Sequence, residues 1–174
     1  MLYSLIARFA TLFDLGRAMF AGFHMRLWEG GPAREPDVLL VATAHLERWT
    51  RARVLGAVDF AAEVISPESV TRDLVDKLRE YALAGIPEYL LIDPGPGERW
   101  MRLYRLDAGG TSQEVEPDEQ GRIHFETLPG FWLDPRWFQQ RPLPGAEELM
   151  LEIAGDAYWD WFIAKWSRSN PVMS

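Results

Sequence analysis

The chain has 174 residues, 48% of them hydrophobic, which is enough for one substantial core and too little for a second full domain. It contains no cysteine, which excludes disulfides and thiolate metal sites, and nothing in it points to secretion, so we expect a cytoplasmic protein. The formal net charge of -8 argues against a broad cationic surface for nucleic acid.

The N-terminal segment predicts an amphipathic helix that packs on the domain. Apolar residues recur at helical spacing over residues 2–13. Arg8 interrupts the apolar run, which is also too short to span a bilayer. We therefore interpret this segment as part of the fold and not as a signal peptide.

Apolar runs after this helix predict a series of strands. The predicted strands span residues 18–27, 37–42, 58–65, 88–93 and 99–106. Residues 113–116 and 122–126 predict a second hairpin. Four arginines flank the predicted strand at residues 37–42, so a locally basic groove is possible despite the acidic net charge: Arg34, Arg48, Arg51 and Arg53.

Glu63 lies inside the apolar strand 58–65, on the same face as Asp59. An ionised carboxylate buried there without a partner costs several kcal/mol, so a metal ion or a cation must compensate it. A salt bridge to an arginine such as Arg34 or Arg53 is the alternative to a functional site. Asp59 is either a further ligand or an exposed aspartate at the strand end.

Lys77 lies in a predicted helix at residues 71–84, at the edge of its apolar stripe, so its amine can lean toward the end of the sheet. Spacing alone favours an ion pair between Asp73 and Lys77. The choice of residue favours a chemical role, since the chain uses arginine almost everywhere and has only two lysines, Lys77 and Lys165. Of lysine and arginine, only lysine can release a proton near neutral pH.

The C-terminal part of the chain begins with a proline-rich linker at residues 141–145. It continues into a predicted helix at residues 147–166 with one apolar face. We expect this helix to dock on the domain or on a second copy of it, which would form a homodimer. Membrane binding is less favoured because the polar face of the helix is acidic.

The order and spacing of several motifs resemble the Uma2 family, also called the domain of unknown function 820. This family is a large group of bacterial endonucleases in the PD-(D/E)xK superfamily. The resemblance covers residues 15–138. The motifs that carry it are Arg34-x-Pro36-Asp37-Val38, Asp59-x-x-x-Glu63-Val64-x-Ser66-Pro67, Asp73-x-x-x-Lys77-x-x-x-Tyr81-x-x-x-Gly85-Ile86-Pro87-Glu88-Tyr89, Asp93-Pro94 and Leu128-Pro129-Gly130-Phe131.

The resemblance implies a fold that combines helices and strands (α/β, with a mixed α+β sheet). Its restriction-endonuclease-like core would have a central mixed sheet flanked by helices. Asp37 matches the aspartate of the PD motif, and Glu63 matches the acidic residue of (D/E)xK. Ile65 stands where that motif places its lysine, and the lysine of the following helix, Lys77, replaces it. Without the resemblance, Asp37 is equally well explained as a turn aspartate after Pro36.

The resemblance also implies a function, a cofactor and a partner. It implies hydrolysis of DNA phosphodiester bonds with Mg²⁺ or Mn²⁺ held by Asp37 and Glu63, with Asp59 as a further ligand and Lys77 as the catalytic amine. Residues 1–138 would form the nuclease domain, without the N-terminal segment usual in the family, and residues 139–174 a linker and helix. The alternative is a catalytically inactive binding or assembly module with the same fold.

Overall fold

The structure is a computed structural model that describes residues 1–65, 72–95 and 99–169. Three α-helices and eleven strands are assigned within these residues. The helices are α1 (Leu2–Leu12), α2 (Leu78–Ala84) and α3 (Ala146–Ser169). The strands are β1 (Gly16–Phe20), β2 (His24–Arg26), β3 (Ala33–Arg34), β4 (Val38–Ala42), β5 (Arg53–Leu55), β6 (Phe60–Val64), β7 (Glu88–Asp93), β8 (Trp100–Leu106), β9 (Ser112–Glu114), β10 (Ile123–His124) and β11 (Trp132–Leu133).

The main sheet has six strands in the order β1-β4-β6-β7-β8-β9. Strands β6 and β7 pair in parallel, and the other neighbours in this sheet are antiparallel. A three-stranded sheet has the order β3-β2-β5, and β10 pairs with β11. The mixed α+β architecture expected from the sequence is therefore confirmed.

Both faces of the main sheet are buried, which gives the protein two cores. We call the core under α1 the first core, and it includes Phe9 of α1 and Phe60 of β6. The second core lies on the opposite face and includes Met25 of β2, Ala61 of β6 and Tyr81 of α2. Side chains of β6 thus alternate between the two cores, as the sequence predicted.

Several predicted strands form with small changes at their ends, but two predictions on strands are wrong. Residues 18–27 do not form one strand, because the chain turns at Gly22, where φ is 98°, and β1 and β2 join different sheets. Residues 113–116 and 122–126 do not pair with each other. Instead, β9 extends the main sheet beside β8, and β10 pairs with β11.

The C-terminal helix docks on the first helix. Arg8 of α1 donates hydrogen bonds to the Tyr158 hydroxyl at 2.8 Å and to Glu147 at 2.7 Å. The α3 segment is broken at Gly155, where φ is 53° and ψ is -134°. Across the described ranges, no helix is long and apolar enough to cross a membrane.

The predicted helix at residues 71–84 begins with a π-helical turn at Arg72–Lys77 and continues as α2. It ends at Gly85, which has the left-handed φ of 79° and donates its N–H to carbonyls of the last turn. A π turn shifts every later side chain around the helix axis and is often found at functional sites. Here it ends at Lys77, four residues before Tyr81.

Replacing Gly85 by alanine should destabilise the protein by about 1–2 kcal/mol, because a Cβ is strained at positive φ. Chemical denaturation measures this change. Gly145→Ala is the matched control, since Gly145 has no positive φ and nothing lies near its Cβ position. Equal stability of both variants would contradict the conformational explanation for Gly85.

Candidate active site

Two neighbouring strands bring Asp37 and Glu63 together. Asp37 directly precedes β4, which runs antiparallel to β6 with Val38 opposite Ala62. This register places Asp37 opposite Glu63, at the end of the strand pair. The Asp37 Oδ2 atom accepts the N–H of Val64 at 2.7 Å, so its carboxyl group lies against the peptide that follows Glu63. Asp37 is therefore more than a turn residue after Pro36.

Glu63 is buried, with 5% of its surface exposed, and its charge is compensated by Lys77. The Lys77 Nζ atom lies 2.7 Å from Glu63 Oε1. The Tyr81 hydroxyl donates to the same oxygen at 3.1 Å. The alternative salt bridge from Glu63 to Arg34 is not formed, because Arg34 pairs with Glu80.

The surroundings of Glu63 act on its pKa in opposite directions. Burial raises the pKa of Glu63 most, and the nearby Asp37 carboxylate raises it further. Lys77 and the Tyr81 hydroxyl lower the pKa of Glu63, but the net shift is upward. Burial and the Glu63 charge raise the pKa of Tyr81 above its ordinary value, so this hydroxyl stays protonated and remains a donor. A cation bound between Asp37 and Glu63 would offset the repulsion between these two carboxylates.

The π turn and α2 together direct Lys77 and Tyr81 toward Glu63. The two residues are four positions apart, which places them on one face of the helix. The Lys77 side chain is 13% exposed, so it points inward and not into water. The predicted ion pair between Lys77 and Asp73 lies outside what the structure describes, because the Asp73 side chain is not among the described parts of the chain. Tyr81 belongs to the motif quoted from the sequence, but no role at the site was predicted for it, although its spacing from Lys77 was a usable signal.

Arg34 of β3 connects the three-stranded sheet to α2 through an ion pair. Its guanidinium donates to both carboxylate oxygens of Glu80, at 2.7 Å and 2.6 Å. Such a bidentate pair is specific in geometry as well as favourable in energy. Because Glu80 directly precedes Tyr81, this pair fixes the part of α2 that reaches the site.

The structure does not bring the candidate ligand Asp59 to Asp37 and Glu63. Asp59 and Glu63 are four residues apart in an extended segment, a distance of about 13 Å. The Asp59 carboxylate instead accepts the N–H of Ala42 at 2.7 Å and contacts His45 Nδ1 at 2.6 Å. Asp59 is also buried, which corrects the alternative of an exposed strand-end residue. Its contacts hold the opposite end of the sheet.

The two carboxylates fit a hard divalent cation as a partial ligand set. In the part of the chain that the structure describes, no group of three or more acidic or histidine side chains could hold a metal ion. Mg²⁺ is nevertheless commonly held by one or two carboxylates, with water and substrate phosphate as its other ligands. Asp37 and Glu63 meet that requirement, and their oxygen atoms suit Mg²⁺ or Mn²⁺.

The cluster of arginines seen in the sequence divides into two groups. Arg34 pairs with Glu80, and Arg48 donates to the carbonyl of Ala57. Arg51 and Arg53 are exposed. Arg51 lies just before β5 of the three-stranded sheet and Arg53 lies at its start, where a local cationic patch is compatible with the acidic net charge.

The fold and the site define a class of protein. The fold is a mixed sheet with flanking helices, and the site adds two acidic residues on neighbouring strands with a lysine from the following helix against one of them. The architecture is similar to the crystal structure of a "putative nuclease belonging to DUF820" from Anabaena variabilis, with a TM-score of 0.60 and 17% sequence identity. The match covers 79% of this chain and 75% of that chain.

The chain belongs to the Uma2 family, described as "Putative restriction endonuclease", whose profile matches residues 2–136. The resemblance found in the sequence is therefore confirmed. No curated protein matches the chain significantly.

Proposed function

We propose that the protein is a metal-dependent endonuclease that hydrolyses phosphodiester bonds of DNA. Asp37 and Glu63 hold Mg²⁺ or Mn²⁺ in this proposal, and Lys77 is the catalytic amine. The observation that carries it is the 2.7 Å contact between Lys77 Nζ and Glu63 Oε1. It joins the lysine and the acidic residue of the family motif although fourteen positions separate them in the sequence.

The residues of the site have separate tasks in this mechanism. A bound divalent cation supplies charge neutralisation at the scissile phosphate and lowers the pKa of a coordinated water. Asp37 and Glu63 hold the cation from neighbouring strands. Lys77 orients the attacking water or stabilises a phosphate oxygen, and either task requires its amine beside the carboxylates. Burial of the Glu63 and Lys77 side chains limits competition from bulk water and strengthens their interaction.

A second candidate is a catalytically inactive module that keeps the nuclease fold for binding or assembly. Two observations favour it. The described residues supply two acidic side chains to the site and no third. The net charge of -8 also weakens the general attraction of the protein for DNA.

Incubation of the purified protein with supercoiled plasmid distinguishes the two candidates. We expect nicked and linear products with Mg²⁺ or Mn²⁺, and no products when a chelator removes the cation. Gel electrophoresis at low salt measures the products, since phosphate contacts weaken as salt rises. Plasmid that is bound but stays intact with both cations would contradict the enzyme and support the binding module.

A further inference from the structure

We propose that Tyr81 is a positioning residue that fixes the orientation of the Glu63 carboxylate, so that Oε2 is the oxygen presented to the cation. This inference rests on the proposed nuclease function and deepens it. Tyr81 would act through Glu63 and would touch neither the cation nor the DNA.

The Tyr81 ring is held too firmly for its hydroxyl to move freely. Only 1% of the residue is exposed, and the ring lies in the second core. It makes an edge contact with Tyr89, with ring centroids 4.8 Å apart and planes at 80°. The adjacent Glu80 is anchored by Arg34. A hydroxyl on such a ring has a fixed position, so a carboxylate that accepts from it is fixed as well.

Both donors of the site converge on one oxygen of Glu63. Lys77 Nζ lies 2.7 Å from Oε1, and the Tyr81 hydroxyl lies 3.1 Å from the same atom. A carboxylate oxygen has two acceptor positions, so two donors saturate Oε1. Both contacts described for this carboxylate thus fall on Oε1. In this proposal Oε1 is the oxygen that the protein holds, and Oε2 is the oxygen that a cation would take as its ligand.

The hydroxyl also makes the orientation of Glu63 independent of Lys77. If the amine alone held Oε1, any movement of Lys77 toward water or phosphate would release the carboxylate. Tyr81 can donate only one proton, and it donates that proton to Glu63. The glutamate therefore keeps one bond while Lys77 acts on the substrate.

Tyr81→Phe tests this role, and Tyr158→Phe is the matched control. Tyr158 is also a buried tyrosine, but it lies in the first core, where its hydroxyl accepts from Arg8. Mn²⁺ affinity of each full-length variant is measured by calorimetry without DNA, and plasmid cleavage is measured separately. Circular dichroism and thermal unfolding confirm that both variants are folded.

We expect Tyr81→Phe to weaken Mn²⁺ binding by about tenfold or more, as for loss of a hydrogen bond to a charged group. Its kcat should fall while its KM for DNA stays within about twofold, because the DNA contacts are intact. Tyr158→Phe should keep the Mn²⁺ affinity of the unmodified protein. A loss of packing alone would lower thermal stability in Tyr81→Phe without this selective change.

The two proposals fail in different ways. Unchanged Mn²⁺ affinity in a folded Tyr81→Phe variant overturns the positioning role and leaves the nuclease intact. An unmodified protein that binds Mn²⁺ but cleaves no DNA overturns the nuclease, while a loss of affinity in Tyr81→Phe still supports the positioning role. An unmodified protein that binds no Mn²⁺ overturns both.

Discussion

Glu63→Gln should reduce plasmid cleavage at least about a hundredfold, since even residues that only support metal ligands cost tenfold to hundredfold when they are changed. Glutamine keeps the size of the side chain and an oxygen that Lys77 and Tyr81 can reach. It loses the negative charge that attracts the cation. Initial cleavage rates at several Mn²⁺ concentrations measure the loss, and higher Mn²⁺ should restore part of the rate.

Asp59→Asn is the control for this experiment. Asp59 is a buried acidic residue on the same strand face, but it contacts Ala42 and His45 at the other end of the sheet. Cleavage by this variant should stay near that of the unmodified protein. Equal cleavage by Glu63→Gln and the unmodified protein would remove Glu63 from the site, and a selective loss in Asp59→Asn would return Asp59 to it.

Lys77→Met should lower the free energy of unfolding by about 3 kcal/mol, because it leaves Glu63 buried without its cationic partner. Urea denaturation measures this value. Replacing both residues, as in Lys77→Met with Glu63→Leu, should recover most of the loss, since no buried charge remains. Lys165→Met is the control, because Lys165 is exposed and stacks its amine on Trp161 at 4.6 Å, a contact of about 1 kcal/mol or less.

The loss in Lys77→Met should also depend on pH. Burial already raises the pKa of Glu63, and Lys77 is a group that lowers it. Without Lys77 the folded protein favours the protonated carboxyl, so the penalty is smallest below the pKa of the unfolded chain and grows as pH rises through the folded pKa. The variant should therefore be less destabilised at pH 5 than at pH 8. A loss that does not change with pH would mean that desolvation of Glu63 is not its cause.

Long apolar runs made much of the fold predictable. The strand predicted at residues 88–93 coincides with β7, and the strand predicted at 37–42 differs from β4 by one residue. The three-stranded sheet was not predicted, because β3 has two residues and β5 has three, too few for a hydrophobic period. Turn signals also did not reveal that β9 and β10 pair with other strands.

The candidate site was predictable only in part. An acidic residue in an apolar strand marked Glu63, and the scarcity of lysine marked Lys77. Their contact depends on the π turn, which no sequence period indicates. Tyr81 was hidden for another reason, since a buried aromatic residue on a helix is usually explained by packing alone. The opposition of Asp37 and Glu63 depends on the register of β4 with β6, and short strands do not specify that register by themselves.

The hydrogen bond from Val64 to Asp37 has a consequence for how a cation would be held. One oxygen of Asp37 is engaged by this backbone N–H, and one oxygen of Glu63 by Lys77 and Tyr81. In the proposed site these two side chains would supply only part of the ligands of a cation, and water and phosphate would supply the rest. The nucleic acid itself would then supply some of the ligands of the cation. Cation and DNA then bind as mutual effectors, each raising the affinity of the protein for the other.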